Sequence, residues 1–594
     1  MSLGLQDRRD VDFLVNDVLH IERLFDTERF RHHDWSSFEL ILDSATKFAH
    51  EEVLPTNSPG DREGAKFIDG EVHTPAIFKR LYKSWREGGF IAVSEDEQYG
   101  GIKLPKALTI HAVSVLIGAN VAFFNMPGLC HGAGEMVEVA GTPAQKKLFV
   151  TKLFSGEWGG TMCITEPHAG SDVGAARTTA TLQPDGTWHI KGQKIFITWG
   201  EHDLTENIVY PVLARVEGDP AGTGGLSLFL VSKHKLDASG EVGARNGVKC
   251  AGIEHKLGLH ASPTCTMVFG EDEPAVGELL GEQRAGMKVM FKMMNTARIA
   301  VGLQALGLAE AAYRYAHQYA VDRLQGSAMD QFKNPDAPRV AIVKHPDVRR
   351  MLLDMRGTVE GLRALLGFCA YQFDLSKALT GSEAEAADEL SQLLTPLCKG
   401  YASEVAFDAV STSITVLGGH GFLRDHPLEQ HLRDAVIARL YEGTTGIQSL
   451  DLIGRKLGRR GGLALMDLSG RIEATIVEAR AAGLEALADR VAKMRDDLAE
   501  GAMHLAGKGL SGDLVGPLLQ ATPFMFLMGD TVLSWLHLWM ATTATKVSEP
   551  TVFHRNKLAT ARHFIVQAEG RVRARTAALV NDDRAPMDAV FEGE

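Results

Sequence analysis

Between about Gly159 and Ala285 the spacing of apolar residues changes from a helical period to an extended one. It changes back after Gly286. Thr187 to Thr198, an aromatic and β-branched run, follows Pro184-Asp185-Gly186, and a DG turn beside such a run predicts a hairpin. Asn207–Val216, Gly225–Val231 and Thr264–Phe269 read as further strands. No long helical period interrupts them. The stretch is therefore an all-β insert of roughly 125 residues, not a chain of alternating β-α units.

Both flanks are helical. Residues 1–158 contain a capped start at Asp34, with Phe38, Leu40, Ile41 and Leu42 expected on one side. Helices are also expected near Pro75–Gly88 and across the apolar run Ala107–Phe124. After Gly286, Met287–Arg323 reads as one long helix, with Met290, Met293, Ala297, Ala300, Leu303 and Leu306 at spacings of three and four. His345–Phe373 and Glu383–Leu417 are further long helices, and together they predict a four-helix bundle. Residues 457–594 form another helical region, with 16 basic and 17 acidic side chains. The fold class is α+β in four domains: 1–158 helical, 159–285 β, 286–456 bundle, 457–594 helical extension. A chain of 594 residues is too long for a single core.

The net charge of −13 argues against a nucleic-acid partner, which needs a basic footprint. The six cysteines form no CxxC pair and no histidine completes a zinc spacing, so no metal site is expected. Unpaired thiols suit a cytoplasmic protein. The start MSLGLQDRRDVDFL has charges where a signal peptide needs its apolar core. Pro517–Ala541 is the most apolar late stretch. It holds Gln520, Asp530 and His537, which favours a buried helix over stable membrane insertion.

Four segments carry candidate chemistry. Met162-Cys-Ile-Thr-Glu-Pro-His-Ala-Gly-Ser-Asp172 feeds a strand into a turn whose small residues let backbone N–H groups approach a phosphate or flat ring. In Ile195-Phe-Ile-Thr-Trp199, alternation places Phe196 and Thr198 on one side. Leu440-Tyr-Glu-Gly-Thr-Thr-Gly446 sets Glu442 before a glycine, where partial desolvation would suit a general base. Val416-Leu-Gly-Gly-His-Gly-Phe422 is a glycine-rich helix break with no strand before it, so it is not a dinucleotide fingerprint. Taken singly, each has a plainer reading: a polar strand-end turn, a core phenylalanine, a surface glutamate, a loose turn.

In order and spacing the TEPxAGSD, GxKxxIT and YEGT elements resemble the acyl-CoA dehydrogenase family of flavoproteins, over about residues 10–456. Within it, GEHDLTENI (200–208), IEHKLGLHASPT (253–264) and HPDVRRML (345–352) look most like long bacterial members with an extra helical C-terminal domain. The resemblance implies a helical domain, a β-barrel-like domain and a four-helix bundle. It implies FAD held by Met162, Ile164, Thr165, Gly170 and Ser171, with Phe196 and Thr198 on the other side of the ring. From a neighbouring subunit Arg323 would reach the pyrophosphate, and Gly418 and Gly419 the adenosine half; Thr444 would contact the cofactor beside Glu442.

Glu442 matches the family's base, which removes an α-proton of an acyl-CoA thioester while hydride leaves the β-carbon for the flavin, giving a trans-2-enoyl-CoA. Ser171, Asn295, Arg298, Glu442 and Gly443 are the implied substrate contacts. Some members carry the base on the long helix just before the arginine matching Arg298; Ala297 stands there and cannot serve. The glutamines that many members place at positions matching Thr415 and Gly446 are absent. An electron-transfer flavoprotein is the implied electron acceptor, a homodimer the implied assembly, and 3-methylmercaptopropionyl-CoA or a medium or long straight-chain acyl-CoA the implied substrate. An oxidase on the same fold, a DNA-binding relative and a non-enzymatic scaffold are the competing classes.

Overall fold

The computed structural model describes residues 4–237 and 239–593, and they fall into two compact units. The fold is the one expected from the resemblance: helical N-terminal, β middle and helical C-terminal parts, followed by a further helical region.

The first unit comprises residues 40–104 and 115–300. Its centre is an eight-stranded sheet: β1 (Gly159–Gly160), β2 (Thr179–Leu182), β3 (Trp188–Thr198), β4 (Ile208–Val216), β5 (Leu226–Ser232), β6 (Val248–Ile253), β7 (Thr264–Phe269) and β8 (Ala275–Leu279). The spatial order is β6-β7-β3-β8-β5-β4-β1. Because β2 pairs with both β3 and β4, strands β3, β8, β5, β4 and β2 close into a ring. Closure leaves these strands no unpaired edge. Val212, Phe229, Tyr210, Cys163 and Ile190 fill one core, while Leu213, Leu228 and Leu230 pack in a second with helical residues. Both faces of β4 and β5 are therefore covered, which is why they read as continuous apolar runs.

Helices of this unit include α1 (Ala76–Gly88), α2 (Val121–Ala140) and the first part of α3 (Gly286–Asp322). The apolar run Ala107–Phe124 is not one helix. It breaks at Asn120, whose side chain accepts from the Phe123 N–H at 3.1 Å and caps α2. Near the N-terminus, Asp34 accepts from the Ser37 N–H at 3.0 Å, and Phe38 and Leu42 are buried. Leu40, expected on the same side, is 67% exposed: at 100° per residue it lies well away from the 38/42 stripe.

The second unit comprises residues 1–39, 105–114 and 301–594. It contains the rest of α3, then α4 (Pro346–Ala378), α5 (Gly381–Pro396), α6 (Ala402–Leu417), α7 (Leu428–Ala435), α8 (Thr445–Asp451), α9 (Leu463–Ala481), α10 (Glu485–Leu510), α11 (Val515–Thr545) and α12 (Val552–Asn581). The expected helix Glu383–Leu417 is α5 and α6 joined by a π-helical segment, Leu397–Tyr401. One described helix, α11, is long and apolar enough to cross a membrane, and 89% of its apolar window is buried within the protein. Asp530 in its middle accepts from Tyr401 Oη at 2.9 Å and from Arg571 at 2.8 Å, so the charge that would be costly in lipid is paired here. The N-terminal segment is tied in by charge as well: Asp10 pairs with Arg363 and Lys557, all buried.

Candidate active site

In the first unit the segment after β1 runs parallel to β4, with Thr161 N–H on Val209 O at 3.1 Å and Cys163 N–H on Pro211 O at 2.9 Å. Alternation sends Cys163 into the ring core, while Met162 and Ile164 pack with the helical core that includes Met290, Met293 and Ala133. A tight turn follows, closed by reciprocal Glu166–Ala169 backbone hydrogen bonds at 3.1 and 3.0 Å. Gly170 and Ser171 emerge exposed, and Thr165 is half-buried. Among the described residues, none accepts from the Thr165 N–H or hydroxyl, while its carbonyl accepts from Ile195 N–H at 2.9 Å.

Beneath this turn lies a buried ion pair. Lys194 Nζ donates to Glu166 Oε1 at 2.8 Å and to Ile164 O at 3.0 Å. Glu166 also accepts from the N–H groups of Arg177 (2.7 Å) and Thr178 (3.0 Å) and from the Thr178 hydroxyl (2.6 Å). Burial alone would raise the Glu166 carboxyl, but the Lys194 charge and these donors outweigh it and hold the group at about 2. Burial lowers the Lys194 ammonium, against the opposing pull of Glu166.

At the end of β3, Phe196 is 59% exposed and sits in the left-handed region at φ 58°. Between Cys265 and Met267 the register with β7 slips, giving β3 an extra residue there. Thr198 is half-buried between buried Ile197 and Trp199. On α3, Asn295 is half-buried and Arg298 is almost fully buried. Next to them Thr296 donates to Glu135 at 3.2 Å, and on α2 His131 pairs with the buried Glu95 at 2.7 Å. The first unit thus gathers Met162, Ile164 and Thr165 around one turn beside Gly170 and Ser171, with Lys194 linking that turn to the strand bearing Phe196 and Thr198.

The second unit brings Arg323 and Gly418–Gly419 into one region. Arg323 follows the end of α3, exposed, its N–H on Tyr319 O. The Tyr319 ring lies 6.0 Å from that of His420, which follows the two glycines. Gly418 caps α6 at φ 61°, and a Cβ on either glycine would meet nothing within 4 Å, so the backbone is open to approach. Thr415 and Gly446 are exposed.

The same unit holds the Glu442 turn. A 3-10 turn, Val436–Arg439, precedes it, and Thr444 caps α8 by accepting from Ile447 N–H at 3.3 Å. Glu442 adopts φ 55° and Gly443 φ 84°. For a non-glycine residue such a conformation costs about 1–2 kcal/mol and persists only where neighbours impose it. Gln448 Nε2 donates to Glu442 O at 3.0 Å and to Gly443 O at 3.3 Å, and Lys399 Nζ donates to Gly443 O at 2.5 Å. Nearby, Thr445 donates to Glu404 at 2.7 Å, and Glu404 pairs with Arg439 at 2.6 Å. Sequence reasoning missed Lys399, Gln448 and Lys194. A lysine among the buried residues Leu397, Cys398, Tyr401 and Ala402 was the available signal for the first.

Comparison with known proteins places these parts in a class, flavin-dependent dehydrogenases of acyl thioesters. The models for the acyl-CoA dehydrogenase N-terminal, middle and C-terminal domains match residues 37–157, 161–271 and 284–458, and an acetyl-CoA dehydrogenase C-terminal-like model matches 468–589. The chain is 38% identical to 3-methylmercaptopropionyl-CoA dehydrogenase of Ruegeria pomeroyi over 89% of each protein. It is also 38% identical to the broad-specificity linear acyl-CoA dehydrogenase FadE5 of Mycobacterium tuberculosis over 95% of each. The crystal structure of an acyl-CoA dehydrogenase complexed with FAD from Bacillus anthracis shares its fold, with a TM-score of 0.76 at 22% identity, covering 97% of this chain and 93% of that one. The chain therefore belongs to the acyl-CoA dehydrogenase family and is an FAD-dependent enzyme.

Proposed function

We propose that the enzyme removes one hydrogen from each of Cα and Cβ of an acyl-CoA thioester, giving a trans-2-enoyl-CoA, with Glu442 as the α-proton base. The observation that carries this reading is the turn at 442: a glutamate held in a strained left-handed conformation by two buried side chains. Strain of that kind is kept where a side chain must point one way. A carboxylate is a weak base for a thioester α-proton, and a positioned base supplies only about 10²–10⁴-fold. Hydrogen bonds to the thioester carbonyl must stabilise the developing enolate as well.

Residues fit for FAD are present. The unmatched Thr165 N–H and hydroxyl, the open backbone at Gly170, the exposed Ser171 and the exposed Phe196 ring would hold the flavin and its pyrophosphate with Met162, Ile164 and Thr198. When bound, FAD supplies the acceptor for the β-hydride. Arg323, Gly418 and Gly419 of a second subunit would complete its far half in a homodimer, with Thr444 beside the base. Asn295, Arg298, Ser171 and Gly443 would contact the substrate. An electron-transfer flavoprotein would take the electrons onward.

The names of the similar proteins favour 3-methylmercaptopropionyl-CoA or a straight-chain acyl-CoA as substrate. Anaerobic mixing of the FAD-loaded enzyme with a panel of acyl-CoA thioesters tests this. At least one member of those two groups should bleach the flavin and yield its trans-2-enoyl-CoA. Bleaching by none of them, or bleaching without an enoyl product, defeats the proposal.

A further inference from the structure

Lys399 is fully buried, and its ammonium sits on the carbonyl of the residue that follows Glu442. Burying an ammonium is costly unless it is paired and hydrogen-bonded, so a lysine in this place needs a reason. Its local backbone is unusual too. Leu397–Tyr401 is a π-helical segment between α5 and α6, and such an extra-wide turn re-aims the side chains it carries. Gln448, also fully buried, donates to the carbonyls of both Glu442 and Gly443. Two donors from two different elements therefore converge on the two successive peptide groups that follow the left-handed glutamate, those flanking Gly443.

The C-terminal region stands directly behind these two. Thr522 of α11 donates to Ser449 Oγ at 3.1 Å, and Ser449 Oγ lies 3.5 Å from Met525 Sδ. A Cβ on Gly400 would fall 2.9 Å from Met525 Sδ and 3.0 Å from Gln448 Cβ, so the residue after Lys399 is pressed between α11 and α8. Tyr401 reaches Asp530 of α11 at 2.9 Å.

We infer that Lys399 and Gln448 are positioning residues for Glu442, and that α11 of the C-terminal region is the wall that holds them against its turn. The inference rests on Glu442 being the base. It gives the extension a part in catalysis: it fixes the segment that fixes the base.

The test is rapid anaerobic mixing of FAD-loaded Lys399→Met with a substrate acyl-CoA. The limiting rate of flavin reduction should fall by about 100-fold, the order expected for a misplaced reacting group. The decay should stay a single exponential of full amplitude, and the acyl-CoA dissociation constant should change far less than the rate, because Gly443 is one substrate contact among several while the base is the reacting group. A role confined to folding would instead lower the amplitude and leave the surviving molecules at the normal rate; that result overturns the inference, as does a normal rate with full amplitude. If Lys399→Met does not fold, Gln448→Met removes the other donor, and its reduction should slow by about tenfold or more; a normal rate overturns the inference. Glu442→Gln separates the two ideas. Loss of reduction in it with a normal rate in Lys399→Met defeats only the positioning role, while normal reduction in Glu442→Gln defeats the base assignment beneath it.

Discussion

Replacing Lys194 by methionine should loosen the turn that carries Ile164 and Thr165. The size of the effect follows from its partner. Glu166 is 3% exposed and its carboxyl is held at about 2 against an ordinary 4.5, which by linkage is worth about 3 kcal/mol at neutral pH. A depressed carboxyl contributes stability that is complete above pH 4.5 and fades as pH falls toward 2. Lys194→Met leaves a buried carboxylate with the Arg177 and Thr178 donors and the His168 imidazole at 3.6 Å but without the ammonium, a change that costs about 3–5 kcal/mol where nothing replaces the charge. Much of that loss should appear as weaker cofactor retention, because Lys194 also holds the Ile164 carbonyl. The FAD dissociation constant, read by flavin fluorescence at pH 7, should rise by about tenfold or more, equal to at least about 1.4 kcal/mol. Between pH 5 and 3 the parent should lose stability more steeply than the variant, whose Glu166 no longer has a depressed carboxyl to titrate. Adding Glu166→Gln should restore most of the melting temperature, since the unpaired charge is gone. Unchanged FAD affinity together with an unchanged melting temperature would refute the reasoning.

Three further outcomes are expected. Gly443→Ala places a Cβ 2.8 Å from Gln448 Nε2 at φ 84°, so it should cost about 2–3 kcal/mol locally and slow flavin reduction at least tenfold, with FAD content unchanged; rapid-mixing kinetics checks this, and a normal rate counts against the imposed turn. Arg323→Ala should weaken FAD retention while the loaded fraction reduces normally; equilibrium dialysis giving the parent affinity would remove Arg323 from the cofactor site. Asp530→Ala strips Tyr401 and Arg571 of their shared acceptor and should lower stability by about 2–4 kcal/mol, below the full buried-pair cost because Arg571 is partly exposed; denaturant unfolding measures it, and a value within 0.5 kcal/mol of the parent would show the pair to be incidental.

The change of period at Gly159 and Gly286 made the β insert legible, because alternation and helical stripes are local signals. Ring closure was not legible in the same way. It depends on β2 reaching both β3 and β4, pairings set by tertiary structure. The break at Asn120 was written in a capping residue that the surrounding apolar run masked. At the site, motifs of small residues and Glu442 stood out because their chemistry is carried in short contiguous segments. Lys194, Lys399 and Gln448 did not, since each acts on a backbone carbonyl or carboxylate 5 to 44 positions away. A lysine facing inward is visible only once its acceptor is in place.

The central claim is that Glu442 takes the α-proton. The most direct measurement is the anaerobic reduction of FAD-loaded Glu442→Gln by an acyl-CoA that bleaches the parent enzyme. The variant should retain its flavin, bind the thioester and show reduction slowed by at least about 10³-fold, within the range a positioned base supplies. Reduction at the parent rate would contradict it and place the base elsewhere.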